Sequence, residues 1–254
     1  MWTTGAVLRG LLAGAALAGL VGCASGGVRL ERLGPDALFE RGLQAYQARR
    51  WAEAIQAFDR LVLEYPAYPR IQEARFRLAE SYFGKREFLT AATEFARLAA
   101  DHPSGPYADD ARFKVCESYA RLSPKPQLDQ QYTRAAIDHC ESLLAYHPDS
   151  EYAERARRLI EELQTKLAEK AFATGEFYFR RHAYDSAILY YEGVTKEYPK
   201  TPVAPRALLR LVEVYRRIGY TEEAEEAKQR LLREYPGSAE ARQAELLLSA
   251  GKGS

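Results

Sequence analysis

The chain has 254 residues, of which 47% are hydrophobic, and its 36 Lys and Arg residues balance 35 Asp and Glu residues to a formal net charge of +1. Because nucleic-acid-binding domains carry clustered positive charge, this balance argues against a nucleic-acid partner. The hydrophobic fraction is ample for a folded core.

The N-terminus has the pattern of a bacterial secretory signal peptide over residues 1–22. Arg9 supplies positive charge, an apolar run covers residues 11–20, and small residues follow. This apolar run is too short to be a membrane-spanning helix. We therefore expect the segment to direct export and to be removed.

The segment ends in Leu20-Val21-Gly22-Cys23, which resembles a lipobox. Lipoproteins are cut before such a cysteine, and its thiol receives lipid; an ordinary signal peptide with a chance cysteine is the alternative. We expect Cys23 to be the lipidated mature N-terminus, because several acyl chains on one residue give stable anchoring. Residues 23–35 then form a lipidated flexible tether. Ala24, in place of Asp, is typical of lipoproteins sent to the outer membrane.

Five prolines divide the remaining chain into repeats, at intervals of 37, 45, 51 and 37 residues. An alanine lies 12 residues before each proline, and the position 8 residues before it is large in three repeats. The prolines are Pro66, Pro103, Pro148, Pro199 and Pro236, and the large residues are Phe58, Phe95 and Tyr191, with Cys140 and Lys228 in the other two repeats. This spacing resembles the tetratricopeptide repeat. It predicts an all-α, right-handed solenoid of five tetratricopeptide-like helical hairpins, whose extended surface suits protein partners.

The repeats fall into two groups. Residues 36–148 hold repeats 1–3, and residues 149–254 hold a long linking helix with repeats 4–5. From Ser150 to Phe179 there is no proline, and apolar residues recur at helical spacing. This predicts one helix of about 30 residues and about 45 Å that joins the two groups as a rigid strut. The third hairpin carries a long loop that includes Ser123-Pro124-Lys125-Pro126, which either contacts a partner or is simply tolerated.

Motifs for enzymatic chemistry are missing from the sequence. There is no phosphate-binding glycine loop, GxSxG elbow or HExxH pair, and the histidines do not form a chelating pattern. We therefore predict no catalytic residues, no metal and no cofactor. We expect Cys116 to face Ala136, which puts Cys140 one turn away and the Cα separation beyond the ~7 Å limit for a disulfide. Buried free cysteines are the expectation, and a disulfide is the alternative.

An aromatic stripe recurs along the first helices of the repeats. We propose Phe39, Tyr46, Phe76, Phe83 and Phe113, with the corner residue Tyr65, as a peptide-binding groove. If exposed, such rings suit an extended peptide that carries its own aromatic side chains. The alternative is that the stripe fills the seams between repeats, since aromatic stripes at helical spacing are usually core.

Together, these features resemble the BamD family, the lipoprotein subunits of the outer-membrane β-barrel assembly machinery. The most specific stretches are Asp129-Gln130-Gln131-Tyr132-Thr133-Arg134-Ala135-Ala136 and Tyr146-His147-Pro148-Asp149-Ser150-Glu151-Tyr152-Ala153. The resemblance implies a non-enzymatic scaffold, lipid-anchored on the periplasmic face of the outer membrane. It implies that repeats 1–3 bind the signals of unfolded β-barrel clients and that repeats 4–5 dock on the central barrel subunit.

Two other functions compete with this interpretation. One is a periplasmic repeat protein that coordinates cell-envelope or cell-wall processes, of the kind associated with Tol-Pal. That family usually places a coiled coil before its repeats and has no lipobox. The other is a lipid-anchored wall hydrolase, which needs a catalytic carboxylate in a cleft, and no glutamate is marked out by the sequence.

Overall fold

The computed structural model describes residues 33–249, with side chains through residue 246. This range folds into eleven α-helices and contains no strand. The helices are α1 (Pro35–Gln47), α2 (Trp51–Glu64), α3 (Ile71–Gly84), α4 (Phe88–Asp101), α5 (Ala108–Leu122), α6 (Gln131–Tyr146), α7 (Ala153–Arg180), α8 (Tyr184–Glu197), α9 (Val203–Ile218), α10 (Thr221–Glu234) and α11 (Ala239–Ser249). The signal peptide, Cys23 and most of the predicted tether lie outside the described residues.

Each helix packs chiefly on the helices that precede and follow it in the chain. The hairpins are α1–α2, α3–α4, α5–α6, α7–α8 and α9–α10, and α11 closes the array by packing on α9 and α10. Such neighbour-to-neighbour packing is the defining property of a solenoid. The prediction of an all-α solenoid of five helical hairpins is confirmed. The terminal helix α11 was not part of that prediction.

In the first and fourth hairpins, a glycine on the first helix lies opposite a large aromatic residue on the second. In the first hairpin, a Cβ on Gly42 would come within 2.7 Å of Phe58 Cε1. Close contact between helix axes requires a small residue at such a crossing point. This pairing explains the small and large positions of the repeat pattern.

The third hairpin has a cysteine at both positions of this pair. Cys116 occupies the position of Gly42, and Cys140 occupies that of Phe58. Their Cα atoms are 5.2 Å apart, and the two residues form a disulfide. Our expectation of free cysteines was wrong because it paired Cys116 with Ala136, whereas the actual register pairs the small position with the large one.

The long loop of the third hairpin, residues 123–130, is organised by one buried side chain. The amide of Gln130, which is fully buried, donates hydrogen bonds to the carbonyls of Lys125, Pro126 and Leu128 at 2.8, 3.3 and 3.0 Å. Lys170 of α7 also donates to the Leu128 carbonyl at 2.6 Å. The loop is therefore fastened both internally and to the long helix.

The predicted long helix is α7, with 28 residues. Its first half contributes Ala156 and Leu163 to the core of the third hairpin. Its second half contributes Ala168 and Phe172 to the core of the fourth and fifth hairpins. One continuous helix thus belongs to two hydrophobic cores. Among the residues the structure describes, no helix is both long and apolar enough to span a membrane.

Candidate protein-binding surface

The first helices of the hairpins form one continuous surface. Contacts join α1 to α3, α5 to α7, α7 to α9 and α9 to α11. Between α3 and α5, Lys114 lies 5.0 Å from the ring centroid of Phe83. We call this surface, made by α1, α3, α5, α7, α9 and α11, the odd-helix face. The aromatic stripe predicted from the sequence lies on these helices.

The phenylalanines of the stripe are core residues. Phe39, Phe76 and Phe113 are 0%, 5% and 3% exposed. Each ring is covered by the residue just before the next odd helix. The Arg70 guanidinium lies 3.9 Å from the centroid of Phe39. The rings of Tyr107 and Tyr152 stack on Phe76 and Phe113, each at 5.0 Å. For these three phenylalanines the structure favours the seam-filling alternative over an open aromatic groove.

The other three proposed groove residues are half-buried. Tyr46 donates a hydrogen bond from its hydroxyl to Glu80 Oε2 at 2.9 Å, and burial, followed by the Glu80 carboxylate, raises the pKa of this tyrosine. Phe83 lies beneath the Lys114 ammonium, which is 5.0 Å from its centroid. Tyr65 directly follows the last residue of α2, Glu64, so it does not belong to the odd-helix face. The structure therefore does not bring the six proposed residues together as one groove.

The sequence analysis missed a charged ladder that covers the rings. Lys114 pairs with Glu117 at 2.7 Å, and Arg77 makes the equivalent pair with Glu80 one repeat earlier. In repeats 4 and 5, Arg210 pairs with both Glu176 and Glu213. The four glutamates of the ladder are Glu80, Glu117, Glu176 and Glu213, and the first two and the last two are each 37 residues apart. The signal was therefore present in the sequence as a charge repeat with the same period as the prolines.

The ladder also reaches into the core of the fourth hairpin. Tyr191 is fully buried and donates its hydroxyl hydrogen bond to Glu176 Oε1 at 2.5 Å. Burial, and next this hydrogen bond to the carboxylate, raises the pKa of Tyr191. Arg210 Nε then binds the same Glu176 at 2.8 Å. The buried Tyr191 side chain thus positions the Glu176 carboxylate, which in turn binds Arg210.

The odd-helix face carries chemical groups that are suited to binding peptides. It offers guanidinium, ammonium and carboxylate groups held above aromatic rings, which are groups that bind peptides by hydrogen bonds, ion pairs and cation–π contacts. Within residues 33–246, no group of three or more His, Cys, Asp or Glu side chains is arranged to hold a metal ion.

Comparison with known proteins finds relatives that match most of the chain. The YfiO family model, described as "Outer membrane lipoprotein", matches residues 32–231. A Vibrio cholerae protein, "Outer membrane protein assembly factor BamD", is 29% identical over 232 residues, which cover 87% of this chain and 95% of the relative. The protein of the same name from Rickettsia prowazekii is 26% identical over 201 residues, covering 79% of this chain and 80% of the relative. Both carry the name of an assembly factor and not that of an enzyme.

Solved structures give a looser likeness. The TPR2AB domain of yeast Sti1 in its complex with pHSP90 aligns with a TM-score of 0.43 and 16% identity, covering 85% of this chain and 84% of the other. The family match spans α1 to nearly the end of α10, and thus includes all five hairpins. The chain therefore belongs to the YfiO family of outer membrane lipoproteins.

Proposed function

We propose that the chain is a non-enzymatic scaffold for the assembly of outer-membrane β-barrel proteins, held at the periplasmic face of the outer membrane by lipid on Cys23. The observation that carries this proposal is the family match over residues 32–231, which coincides with the five-hairpin solenoid. Relatives that match over most of this length are named outer membrane protein assembly factors. A solenoid with a continuous charged face suits such a role, because it binds partners through an extended surface.

We further propose a division of labour along the solenoid. Repeats 1–3 bind unfolded β-barrel clients, and repeats 4–5 dock on the central barrel subunit. The support is α7, which contributes to the cores on both sides and so holds the two groups in a fixed relationship. A client bound to one group is then kept at a set position relative to the machine bound to the other.

Photo-crosslinking in the intact, lipidated chain tests this division. A photoreactive phenylalanine analogue replaces either Glu40 on α1 or Arg217 on α9, both of which are exposed. The group at position 40 should capture unfolded β-barrel client, and the group at position 217 should capture the barrel subunit. The reverse pattern would show that the two halves have been assigned backwards. Capture of neither partner at either position would contradict the assembly function itself.

A further inference from the structure

A groove runs along the odd-helix face between α5 and α7, with a volume of about 420 Å³. From α5 it is lined by Phe113, Glu117, Ala120 and Arg121, and from α7 by Arg155, Arg158, Leu159, Glu162, Leu163 and Lys166. These positions recur at three- and four-residue spacing, so each set lies on one side of its helix. The groove is thus built from two regular helix faces.

The floor of the groove is apolar. Its accessible part is formed by the partly buried Ala120 and Leu159, beneath which Phe113 and Leu163 are each 3% exposed. The Arg155 guanidinium lies 4.5 Å from the Phe113 centroid, at the edge of this floor. An apolar side chain that enters here loses water on contact with Ala120 and Leu159, which favours binding.

The rim of the groove carries more positive than negative charge. Four cationic side chains line it against two carboxylates. Glu117 is already paired with Lys114 at 2.7 Å, so one of those carboxylates is engaged. Arg158 is exposed and makes no ion pair within the described residues. The rim therefore holds cationic charge that this chain does not neutralise.

The next groove along the same face lacks this excess. It lies beside α7, α9 and α11, has a volume of about 330 Å³, and is lined by Arg206 and Arg210 against the carboxylates of Glu176, Glu213 and Glu240. Arg206 pairs with Glu169 at 2.6 Å, and Arg210 pairs with Glu176 at 2.8 Å. The positive charge left uncompensated in the α5–α7 groove is therefore not shared by this neighbouring groove.

We propose that the α5–α7 groove binds an extended, acidic segment of a client protein, with an apolar side chain on the floor and carboxylate side chains at the rim. Arg155 and Lys166 are separated by about 16 Å along α7, farther than one carboxylate reaches. In an extended chain, residues i, i+2 and i+4 point to one side, and i and i+4 are about 13 Å apart. The groove therefore fits the order acidic, any, apolar, any, acidic.

This inference names the ligand chemistry of the client-binding role proposed above and rests on that role for the source of the segment. The test uses the intact chain and the blocked peptide Glu-Ala-Phe-Ala-Glu, with binding followed by NMR titration. The Arg158→Glu variant should bind this peptide at least tenfold more weakly than the parent chain does. The matched control is Arg157→Glu on the same helix, which changes the charge equally outside the groove and should bind like the parent chain. A circular dichroism spectrum confirms that both variants are folded.

Peptide variants identify the groups that bind. Gln-Ala-Phe-Ala-Gln should bind at least tenfold more weakly than the acidic peptide. Glu-Ala-Ala-Ala-Glu should also bind more weakly, because it lacks the phenylalanine ring that contacts the floor. Equal loss in the Arg158 and Arg157 variants, or equal binding of the acidic and amide peptides, would overturn the proposal. Tighter binding of an otherwise neutral peptide with a free C-terminal phenylalanine would also overturn it, because the ligand would then be a chain end.

A separate measurement distinguishes failure of this inference from failure of the assembly function. Capture of an unfolded client by the photoreactive group at position 40 does not require the groove. If the parent chain captures client and the acidic peptide still does not bind, the ligand chemistry is wrong and the scaffold role stands. If the peptide binds in an Arg158-dependent way and no client is captured, the groove is real and the assembly role is wrong.

Discussion

The ring of Tyr191 lies directly against Gly175 in the fourth hairpin, where a Cβ on the glycine would come within 2.6 Å of Tyr191 Cε1. The same relationship joins Phe58 to Gly42 in the first hairpin. Tyr191 is fully buried, so its ring cannot move aside into solvent. In these two hairpins the glycine is therefore required by the large residue of the partner helix.

The first prediction tests this contact by adding one methyl group. Gly175→Ala should destabilise the protein by about 1–3 kcal/mol, because overpacking a full core forces side chains or backbone to shift. Gly193→Ala is the matched control: it lies in α8 with nothing within 4 Å of the added Cβ. There the change should stabilise by about 0.5–1 kcal/mol through the better helix propensity of alanine. Urea denaturation measures both, and equal effects would refute the packing explanation.

The second prediction concerns the disulfide between Cys116 and Cys140, which closes a sequence separation of 24 residues. A loop of this size corresponds to about 3 kcal/mol of stabilisation in the chain-entropy account. A reductant should therefore lower the urea midpoint of the parent chain. The double variant Cys116→Ala with Cys140→Ala should not respond to the reductant. Thiol labelling of the untreated, denatured chain gives an independent check, since two reactive thiols at these positions would contradict the bridge.

The sequence was sufficient to predict the hairpins, their order and the long helix, because prolines, alanines and helical periodicity report on local structure. It was insufficient for the disulfide, because pairing across a hairpin depends on register. The register was nonetheless encoded: glycine at one position and phenylalanine or tyrosine at the other indicate that these two positions face each other. In the third repeat both are cysteine, so reading Gly42 with Phe58 as one pair would have found the bridge.

The aromatic groove was difficult for a different reason. A stripe of phenylalanines at helical spacing is the same in sequence whether solvent or another residue covers it. The covering residues Arg70, Tyr107 and Tyr152 come from the segment that precedes the next odd helix, some 30 to 40 residues later in the chain. Their role depends on tertiary packing and is not visible in the periodicity of one helix.

The third prediction separates core from surface within the stripe. Phe76 is 5% exposed, so Phe76→Ala should lower the free energy of unfolding by about 3–5 kcal/mol, the usual range for a buried phenylalanine. Phe83 is only half-buried, beneath Lys114, so Phe83→Ala should cost clearly less. Peptide binding is then measured only for the variant that stays folded. If Phe83→Ala leaves client peptide binding unchanged, this residue is not part of the binding surface.

The fourth prediction concerns the membrane anchor. Cys23→Ala should abolish incorporation of a radiolabelled fatty acid and leave the chain uncleaved or cleaved elsewhere, because the acylated thiol is then missing. The matched control is Ser25→Ala, which changes a neighbouring residue and should be labelled normally. Normal lipid attachment in the Cys23 variant would rule out this residue as the anchor.

The last prediction concerns α7 as the link between the two cores. Thr165 lies close to the boundary of the two cores, since Leu163 and Leu167 belong to the core of the third hairpin and Ala168 belongs to the core of the fourth and fifth. Thr165→Pro should cost about 3 kcal/mol, because proline removes a backbone hydrogen bond and clashes with the preceding turn. Since neighbouring repeats stabilise one another through their interfaces, the break should divide unfolding into two transitions. Thr165→Ala keeps the helix and should unfold as the parent chain does.

Hydrogen exchange measures the protection of backbone amides in the two halves separately. Equal protection of both halves in the proline variant would show that coupling does not pass through α7. If coupling is lost as expected, the photoreactive groups at positions 40 and 217 should still capture their separate partners, while capture of both by one molecule should decrease.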